Sequence, residues 1–399
     1  MSRLDDLLKQ YCPNGVEFWP LERCCNILDN KRKPVSKSTR EVGDYPYYGA
    51  NGIQDYVADY IFDGTYVLVG EDGSVVTQNG NPVVNWAQGK IWVNNHAHIV
   101  SEGNGVLLRF IFHYLQTVNI TDLVHGNIPK LTGRDFKAIK IPVPPLEVQR
   151  EIVRILDNFT ELTAELTAEL TARKKQYEYY RALLLDFGVH GGGTSECEWR
   201  TISGLGSWTG GCTPSMNNSK YWANGTIPWI SSKDMKFATL SDTEDHITDL
   251  AIKETSIKLL PKNITAIVAR SGILKHTLPV VYIPFETTVN QDIKALIPSE
   301  DVLPRYAYFV LAGFSKRILK STKKQGGTVD SLDMNAFMRY PVPVPTIEKQ
   351  ERIISILERF DKLCNDISEG LPAEIEARRK QYEYYRDKLL SFEEICNGT

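Results

Sequence analysis

The sequence lacks the features that would place a protein in a membrane or outside the cell. No stretch approaches 18 consecutive apolar residues, so no membrane-spanning helix is predicted. The amino terminus, Met1-Ser-Arg-Leu-Asp-Asp, has no apolar signal region. The seven cysteines are odd in number and form no C-x-x-C pair, which argues against a disulfide framework or a zinc ribbon. These absences favour a cytoplasmic protein.

Recognisable catalytic motifs are missing as well. There is no G-x-x-x-x-G-K-[ST] loop, no Asn/Asp-Pro-Pro-aromatic tetrapeptide of the kind amino-methyltransferases use, and no Gly-rich S-adenosylmethionine loop. Asp292-Ile-Lys294 has no convincing acidic partner for a nuclease site. His96-Ala-His98 has no further ligand nearby in the sequence for a metal. We therefore predict no catalytic residue and no metal site in this chain.

Neither sign of charge is in excess. The 46 Lys and Arg residues are balanced by 49 Asp and Glu residues, for a formal net charge of −3 at pH 7. The overall field therefore does not indicate a nucleic-acid partner, and any binding to DNA must come from local basic patches.

The most informative feature that is present is a duplication. Residues 172–187 and 377–392 are identical at twelve of sixteen positions and share the motif R-[KR]-K-Q-Y-E-Y-Y-R. Copies about 200 residues apart in a chain of 399 indicate two comparable halves. A protein with internal two-fold symmetry is suited to binding a partner that also has two-fold symmetry, such as duplex DNA.

Proline-spaced strand ends mark the same point in both halves. Residues 141–149 (I-P-V-P-P-L-E-V-Q) match residues 340–350 (Y-P-V-P-V-P-T-I-E-K-Q). Because proline disfavours helix before it and suits the first helical turn, helices are predicted to begin near Pro145 and Pro345. We predict these segments: a first domain at 1–144 with a short N-terminal helix, a central helical spacer at 145–187, a linker at 188–197, a second domain at 198–344 and a distal helical region at 345–399.

Both helical regions carry an apolar stripe spaced by three and four residues. Residues 146–187 contain no Gly or Pro, whereas Gly370 and Pro372 predict a break in the second region. We expect the two stripes to pack on each other as an antiparallel coiled coil that also binds partner subunits. The alternative is that each stripe packs only on its neighbouring domain. The predicted contact residues are Phe159, Leu162, Leu166, Leu170, Tyr177, Tyr180, Phe360, Leu363, Tyr382 and Tyr385.

A tetrapeptide repeat lies inside the first helical region. Residues 160–172 read T-E-L-T-A-E-L-T-A-E-L-T-A. Each unit of four adds about 6 Å to a helix and turns the residues beyond it by about 40°. The segment is therefore predicted to be a spacer, although its composition also suits an ordinary helix.

The domains between the helices have an α+β pattern. Short β-branched segments at 66–69, 82–86, 91–93, 264–269, 279–283 and 293–297 predict strands, and 105–117 and 304–320 predict short helices. The beginning of the chain matches the segment that comes after the first copy of the motif, so we expect the two chain ends to lie close together.

Polar, basic and aromatic side chains recur at matching places in the two domains. Asn, Gln, Arg and Lys side chains match base edges and phosphates, so these clusters are predicted to bind DNA. The candidates in the first half are Lys31, Arg32, Lys33, Tyr47, Tyr48, Asn51, Asn94, Asn95, His125 and Lys130. Those in the second half are Trp229, Ser231, Ser232, Lys233, Lys236, Arg270, Ser271, Lys275, Asn290, Gln291, Lys323, Lys324 and Gln325.

This order of parts resembles the specificity subunit of type I restriction-modification systems. The resemblance rests on the two proline-spaced helix entries, the Thr-Ala-Glu-Leu repeats, which suggest the IC-like branch, and the paired tyrosine motifs. Residues 225–235, 269–272 and 290–294 also look like the family's target recognition domains.

The resemblance implies an α+β protein with two target recognition domains, joined by two long helices in an antiparallel coiled coil with pseudo-two-fold circular symmetry. Each domain would read half of a split, asymmetric site in double-stranded DNA. The helices would dock two modification (methyltransferase) subunits, and restriction subunits would join them. S-adenosylmethionine, ATP and Mg²⁺ would serve those partners, and this chain would bind no cofactor. The first half departs more from the family pattern, with Glu71-Asp72 aligned to Arg270-Ser271.

Two other functions remain open at this level. One is a DNA-modifying enzyme that acts alone, which the missing motifs disfavour. The other is a coiled-coil scaffold with no role in DNA binding, for which the matched polar loops would have no use.

Overall fold

The structure is a computed structural model that describes residues 3–73, 75–188, 197–324, 329–366 and 369–395. Its internal contacts divide the chain into two compact units. Unit 1 comprises Met1–Ala168 and Glu374–Thr399, and unit 2 comprises Glu169–Ala373. Each unit combines an α+β body with segments of the long helices.

The elements of the first half alternate short strands with short helices and end in one long helix. They are α1 (Arg3–Tyr11), β1 (Phe18–Pro20), α2 (Leu21–Cys24), β2 (Cys25–Ile27), β3 (Val42–Gly49), β4 (Gly52–Val57), β5 (Phe62–Gly70), β6 (Val84–Val93), β7 (Ala97–Glu102), α3 (Leu108–Leu115), β8 (Val124–His125), β9 (Lys130–Leu131), α4 (Gly133–Ala138), β10 (Lys140–Pro142) and α5 (Leu146–Leu184).

Unit 1 is built on a six-stranded sheet of order β2-β7-β5-β6-β3-β4. All neighbours are antiparallel except β3 and β6. The strands predicted at 82–86 and 91–93 are one continuous strand. The reason is that Gly89, at φ 77°, pairs directly with Gly64 on β5, so the chain can turn sharply there without leaving the sheet.

The chain ends of unit 1 meet, as the sequence predicted. The Val16 amide donates to the Glu393 carbonyl at 2.8 Å, and the Ile395 amide donates to the Val16 carbonyl at 3.0 Å. Leu4 and Leu390 share one buried cluster with the body. Helix α1 and the residue directly after α10 are therefore held by the same core.

The elements of the second half follow a similar order, with an additional helix, α6. They are β11 (Cys197–Thr201), β12 (Gly206–Gly210), β13 (Ile227–Ile230), β14 (Asp245–Ile247), α6 (Asp249–Glu254), β15 (Ile264–Val268), β16 (Val280–Ile283), β17 (Thr288–Val289), β18 (Ile293–Pro298), α7 (Pro304–Thr322), β19 (Lys323–Lys324), β20 (Ser331–Leu332), α8 (Met334–Met338), β21 (Pro341–Pro345), α9 (Ile347–Asn365) and α10 (Leu371–Leu389).

Unit 2 repeats the pairing of unit 1 strand by strand. The sheet β12-β18-β15-β16 corresponds to β2-β7-β5-β6, and the parallel pair β13–β17 corresponds to β3–β6. Here the sheet is split in two, because Pro284 comes directly after β16 and cannot donate a ladder hydrogen bond. The six predicted strand regions and two predicted short helices are thus confirmed, with 82–86 and 91–93 merged.

The long helices pack both on the bodies and on each other. In unit 1, Ile152 and Leu156 of α5 are buried in the body core, while Phe159 stacks on Tyr385 of α10 with ring centroids 5.3 Å apart. Leu162 is 45% exposed, so it is not buried between the helices, and its predicted contact with a partner subunit stays a prediction. In unit 1 the stripe of α5 therefore packs on α10 as well as on the body, so the alternative of packing only on the neighbouring domain is wrong.

In unit 2 the later part of α5 packs against α9. Tyr177 and Tyr180 lie over Phe360, with ring centroids 6.3 and 5.5 Å away. Leu363 is 37% exposed rather than packed in this contact. Leu166 and Leu170 are half-buried.

The predicted break near Gly370 and Pro372 separates α9 from α10. A Cβ atom on Gly370 would lie 2.6 Å from the Lys362 carbonyl oxygen and 2.7 Å from that of Asp366. Only glycine fits so close to the end of α9, which accounts for the position of the break.

A buried histidine joins the body of unit 1 to both helices. His113 of α3 is fully buried, and its ring nitrogens lie 2.9 Å from Asp157 Oδ1 of α5 and 3.0 Å from the Tyr382 hydroxyl of α10. Arg109 also donates to Asp157, at 2.7 Å. Burial, together with the charges of Arg109 and Arg386, lowers the pKa of His113 in spite of the Asp157 carboxylate.

Unit 1 is therefore expected to lose stability as the pH falls from 7 to 5. An unfolded histidine takes up a proton below about pH 6.5, whereas buried His113 resists protonation, so acid favours unfolding by at most about 1.4 kcal/mol per pH unit. The pKa of the Asp157 carboxyl is also lowered, so protonation of Asp157 reduces the stability of unit 1 only at pH values below this range. His113→Phe should flatten this part of the pH profile in chemical denaturation. Phenylalanine suits the site because Phe309 holds the equivalent position in α7: His113 follows Leu107, and Phe309 follows Leu303, by six residues, and the amides of Leu107 and Leu303 make matching bonds to Gln149 and Gln350.

The exposed His276 provides the control for this measurement. His276→Gln should leave the profile between pH 7 and pH 5 unchanged. An unaltered slope in His113→Phe would show that other groups cause the acid sensitivity.

Candidate nucleic-acid interface

In unit 1 three loops meet at one end of the sheet: the segment after β5, the segment after β6 and the β8–β9 hairpin. The Glu71 amide donates to the His96 carbonyl at 2.8 Å, and the Leu131 amide donates to the Glu71 carbonyl at 2.8 Å. The Asn94 amide donates to Tyr48 of β3 at 3.0 Å. The backbone thus brings together most of the clusters that the sequence placed in the first half.

Unit 2 assembles the corresponding loops with the same bonds. The Ala269 amide donates to the Asp292 carbonyl at 2.7 Å, and the Leu332 amide donates to the Ala269 carbonyl at 2.9 Å. The Asn290 amide donates to Ile230 of β13 at 3.0 Å. We call this end of each unit the loop edge: residues 71–73, 94–96 and 124–131 in unit 1, and 269–275, 290–292 and 323–332, as far as described, in unit 2.

These matched bonds correct one alignment made from the sequence. Asp72 forms an antiparallel bridge with Lys130, and Arg270 forms the same bridge with Ser331. Arg270 therefore corresponds to Asp72 and not to Glu71, whose place Ala269 takes. Sequence reasoning missed Asp72 and Ser331 as loop-edge residues. The number of residues between these loops and the β-hairpin that follows them could have indicated both residues from the sequence.

Many candidate DNA-binding side chains are accessible. The exposed or half-buried ones are Lys31, Lys33, Asn51, Asn95, His125, Lys130, Ser232, Lys233, Lys236, Arg270, Ser271, Lys275, Gln291 and Lys324. Lys233 and Lys236 lie just after β13 and pair with Asp245 at 3.3 Å and Glu244 at 3.7 Å. Gln325 lies outside the described residues, as do residues 189–196 of the predicted linker.

Six candidates have buried side chains, so their assignment to DNA contact is revised. They are Tyr47, Tyr48, Asn94, Trp229, Ser231 and Asn290. Asn94 Oδ1 accepts from the His96 amide at 2.8 Å, and Asn290 Oδ1 accepts from the Asp292 amide at 3.0 Å. A side chain that is buried and bonded internally shapes the loop instead of reaching a base.

Two charged candidates are also largely engaged inside the fold. Arg32 Nη1 lies 2.5 Å from Glu71 Oε2, and its side chain is only 12% exposed. Lys323 Nζ lies 2.9 Å from the buried Asp330 carboxylate and donates to the Lys275 carbonyl at 3.3 Å. Their charges organise the loop edge and are balanced there.

Asp29, Glu71 and His98 form a cluster with metal-ligand spacing. The guanidinium of Arg32 and the ammonium of Lys130, 3.3 Å from Glu71, supply positive charge to it. Burial acts to raise the pKa of Asp29, but the hydrogen bond and charge of His98, the Ile99 amide and the charge of Arg32 together lower that pKa. Both ring nitrogens of His98 face oxygen acceptors, Asp29 and the Leu131 carbonyl. The cluster is thus explained as an ion-pair network.

Comparison with known proteins identifies the family. The sequence model of a protein family, the type I restriction modification DNA specificity domain, matches residues 13–173 and again residues 194–377. The specificity subunit of the Escherichia coli type I restriction enzymes EcoR124I and EcoR124II is 46% identical over 298 residues, which cover 73% of this chain and 72% of that protein. A putative type I specificity subunit of Haemophilus influenzae is 37% identical over 393 residues, covering 94% and 96%.

Solved structures share the fold at low identity. The type I restriction-modification S subunit from M. genitalium aligns with a TM-score of 0.58 at 14% identity, covering 94% of this chain and 96% of that one. A chain from a study of complex assembly and conformational transition of the type I R-M system aligns with a TM-score of 0.58 at 15% identity, covering 95% and 98%. Within the described residues, no helix combines the length and apolar character needed to cross a membrane. This chain belongs to the type I restriction-modification specificity subunits.

Proposed function

We propose that this chain binds a bipartite, asymmetric site in double-stranded DNA and reads one half of the site with each unit. The observation that carries the proposal is the repeated loop edge. The same backbone bonds assemble it in both units, but different side chains occupy it, with Lys130 matched by Ser331 and Asp72 by Arg270. A common scaffold with different readout groups is what an asymmetric two-part site requires.

Two copies of one modification subunit are the proposed partners of the duplicated motif. Its buried faces are explained by packing, since Tyr177 and Tyr382 lie in the unit cores. Tyr179 and Tyr384, however, are 64% and 61% exposed and yet identical in the two copies. Retention of an exposed aromatic residue in both copies supports a surface that binds the same protein twice.

The remaining roles belong to the partners in this proposal. The modification subunits would use S-adenosylmethionine to methylate adenine, and restriction subunits would use ATP and Mg²⁺. The chain itself would have no catalytic activity, in keeping with the motifs that its sequence lacks. The buried and ion-paired groups of the loop edge would position the DNA-contacting side chains.

The test is to map modified adenines in a host without other adenine methylation. Co-expression of this chain with its modification subunit is expected to give one two-part, asymmetric site, and either protein alone is expected to give none. Methylation by the purified chain alone would support an independent enzyme. Methylation with no sequence preference, or with the modification subunit alone, would support a scaffold without DNA readout.

A further inference from the structure

Arg270 and Asp72 hold equivalent, rigid positions on the two loop edges. The preceding residues are Ala269 and Glu71. A backbone amide of the hairpin donates to the carbonyl of each, at 2.9 Å for Ala269 and 2.8 Å for Glu71. The residue after Arg270 or Asp72 donates its amide to the same hairpin, at 3.1 Å for Ser271 and 2.9 Å for Gly73. A backbone fixed on both sides directs the side chain without a large entropic cost on binding.

The side chain of Arg270 is available to a ligand. It is exposed, and among the described residues no carboxylate forms an ion pair with its guanidinium. Its neighbours differ in this respect, since Lys323 is held by Asp330 at 2.9 Å and Lys324 by Asp333 at 3.0 Å. Arg270 is thus a positive group on the unit 2 edge whose charge is not already balanced within the described structure.

Unit 1 carries the opposite charge at the position that corresponds to Arg270. Asp72 presents a carboxylate at this position, hydrogen-bonded to Nδ1 of His96, and remains 24% exposed. In unit 2 the place of His96 is taken by Asp292, whose carbonyl accepts from Ala269 as that of His96 accepts from Glu71. The two loop edges therefore carry opposite charges at one matched position, Arg270 and Asp72, and different residues at its neighbour.

The two side chains select different bases. The planar fork of arginine matches the O6 and N7 acceptors of guanine in the major groove. An ionised carboxylate can only accept, so it matches a base that presents an amino group, above all N4 of cytosine. A carboxylate also repels phosphate, which disfavours a role for Asp72 in backbone binding.

We propose that Arg270 and Asp72 are specificity-determining residues: Arg270 reads a guanine in the half-site of unit 2, and Asp72 reads an amino-bearing base in the half-site of unit 1. The inference rests on the proposed function and assigns one base position in each half to a named residue. It explains why related loop edges would recognise different half-sites.

The experiment compares Arg270→Lys, Arg270→Gln and Asp72→Asn with the original chain, each co-expressed with the modification subunit, by mapping methylated adenines. Arg270→Lys keeps the charge but loses the bidentate fork, so discrimination at one guanine of one half-site should fall roughly 5- to 150-fold. Arg270→Gln should shift that position toward adenine. Asp72→Asn should relax one position in the other half-site only. Thermal denaturation checks that each substitution leaves the protein folded.

Lys253→Gln is the matched control, because this exposed lysine belongs to α6 and is not one of the loop-edge residues. It should leave both half-sites unchanged. Unchanged half-sites in the Arg270 variants, or a uniform loss of methylation at all sequences with Arg270→Gln and rescue by Arg270→Lys, would show a phosphate contact and overturn the inference for Arg270. An unchanged half-site in Asp72→Asn would overturn it for Asp72. If the original chain gives no two-part site, the proposed function fails, and this inference fails with it.

Discussion

Insertion of one Thr-Ala-Glu-Leu unit after Leu166 is expected to lengthen the gap between the two methylated half-sites by one or two base pairs. Four helical residues add about 6 Å and about 40°. One base pair spans about 3.4 Å and turns about 35°, so length favours two pairs and rotation favours one. The half-site sequences themselves should not change.

The structure shows why the helix should tolerate this insertion. Residues 157–176 of α5 contain no fully buried side chain, so added residues displace no core packing. The hydroxyl groups of Thr163 and Thr167 donate to the carbonyls of Phe159 and Thr163, at 2.8 and 2.7 Å. Both hydrogen bonds are therefore made within α5 itself. The break between α9 and α10 offers a place where the second helical region can adjust.

Mapping of methylated adenines measures the gap. Insertion of only two residues is the matched control, since it turns the rest of the helix by about 200° and should abolish methylation. Leu162→Ala, which changes an exposed side chain but not the length, should leave the gap unchanged. An unchanged gap after the four-residue insertion, or altered half-sites with the original gap, would disprove the spacer role.

The second large effect is expected from Gln350→Leu, which should destabilise unit 2 by about 3 kcal/mol or more. Gln350 is fully buried at the beginning of α9. Its Oε1 accepts from the Leu303 amide at 2.8 Å, and its Nε2 donates to the Pro345 and Asp301 carbonyls at 2.9 Å each. Leucine fills a similar volume but leaves these three backbone groups, one buried and two partly buried, without their partners.

Gln149 makes the same three kinds of bond in unit 1 and allows a paired measurement. Its Oε1 accepts from the Leu107 amide at 2.8 Å, and its Nε2 donates to the Pro144 carbonyl at 2.7 Å and the Gly105 carbonyl at 3.0 Å. Hydrogen exchange of the full chain should show loss of protection around α7 in Gln350→Leu and around α3 in Gln149→Leu. Gln88→Leu, on an exposed position of β6, should have little effect. A loss below about 1 kcal/mol in both buried variants would mean that other contacts join helix to body.

Local patterns were enough to predict much of the architecture. The proline-spaced entries place the beginnings of α5 and α9 at Leu146 and Ile347, and Gly370 marks the break before α10. Proline and glycine restrict the backbone at their own positions, so their effects can be read without knowing the fold. Residues 45–48 and 227–230 correspond in the two halves, because Tyr47 and Trp229 occupy the same place in their parallel strand pairs.

The sequence by itself determined the two halves, their helices and the family to which the chain belongs, since duplication, periodicity and motif order are properties of the chain. Only the tertiary structure decided which polar residues face solvent. Asn94 and Asn290 have the composition of DNA-reading residues, but long-range strand pairing buries them as loop supports. The same pairing sets Arg270 opposite Ser331 and so makes it the counterpart of Asp72. Burial and register depend on distant segments meeting in space, and residue type alone does not contain that information.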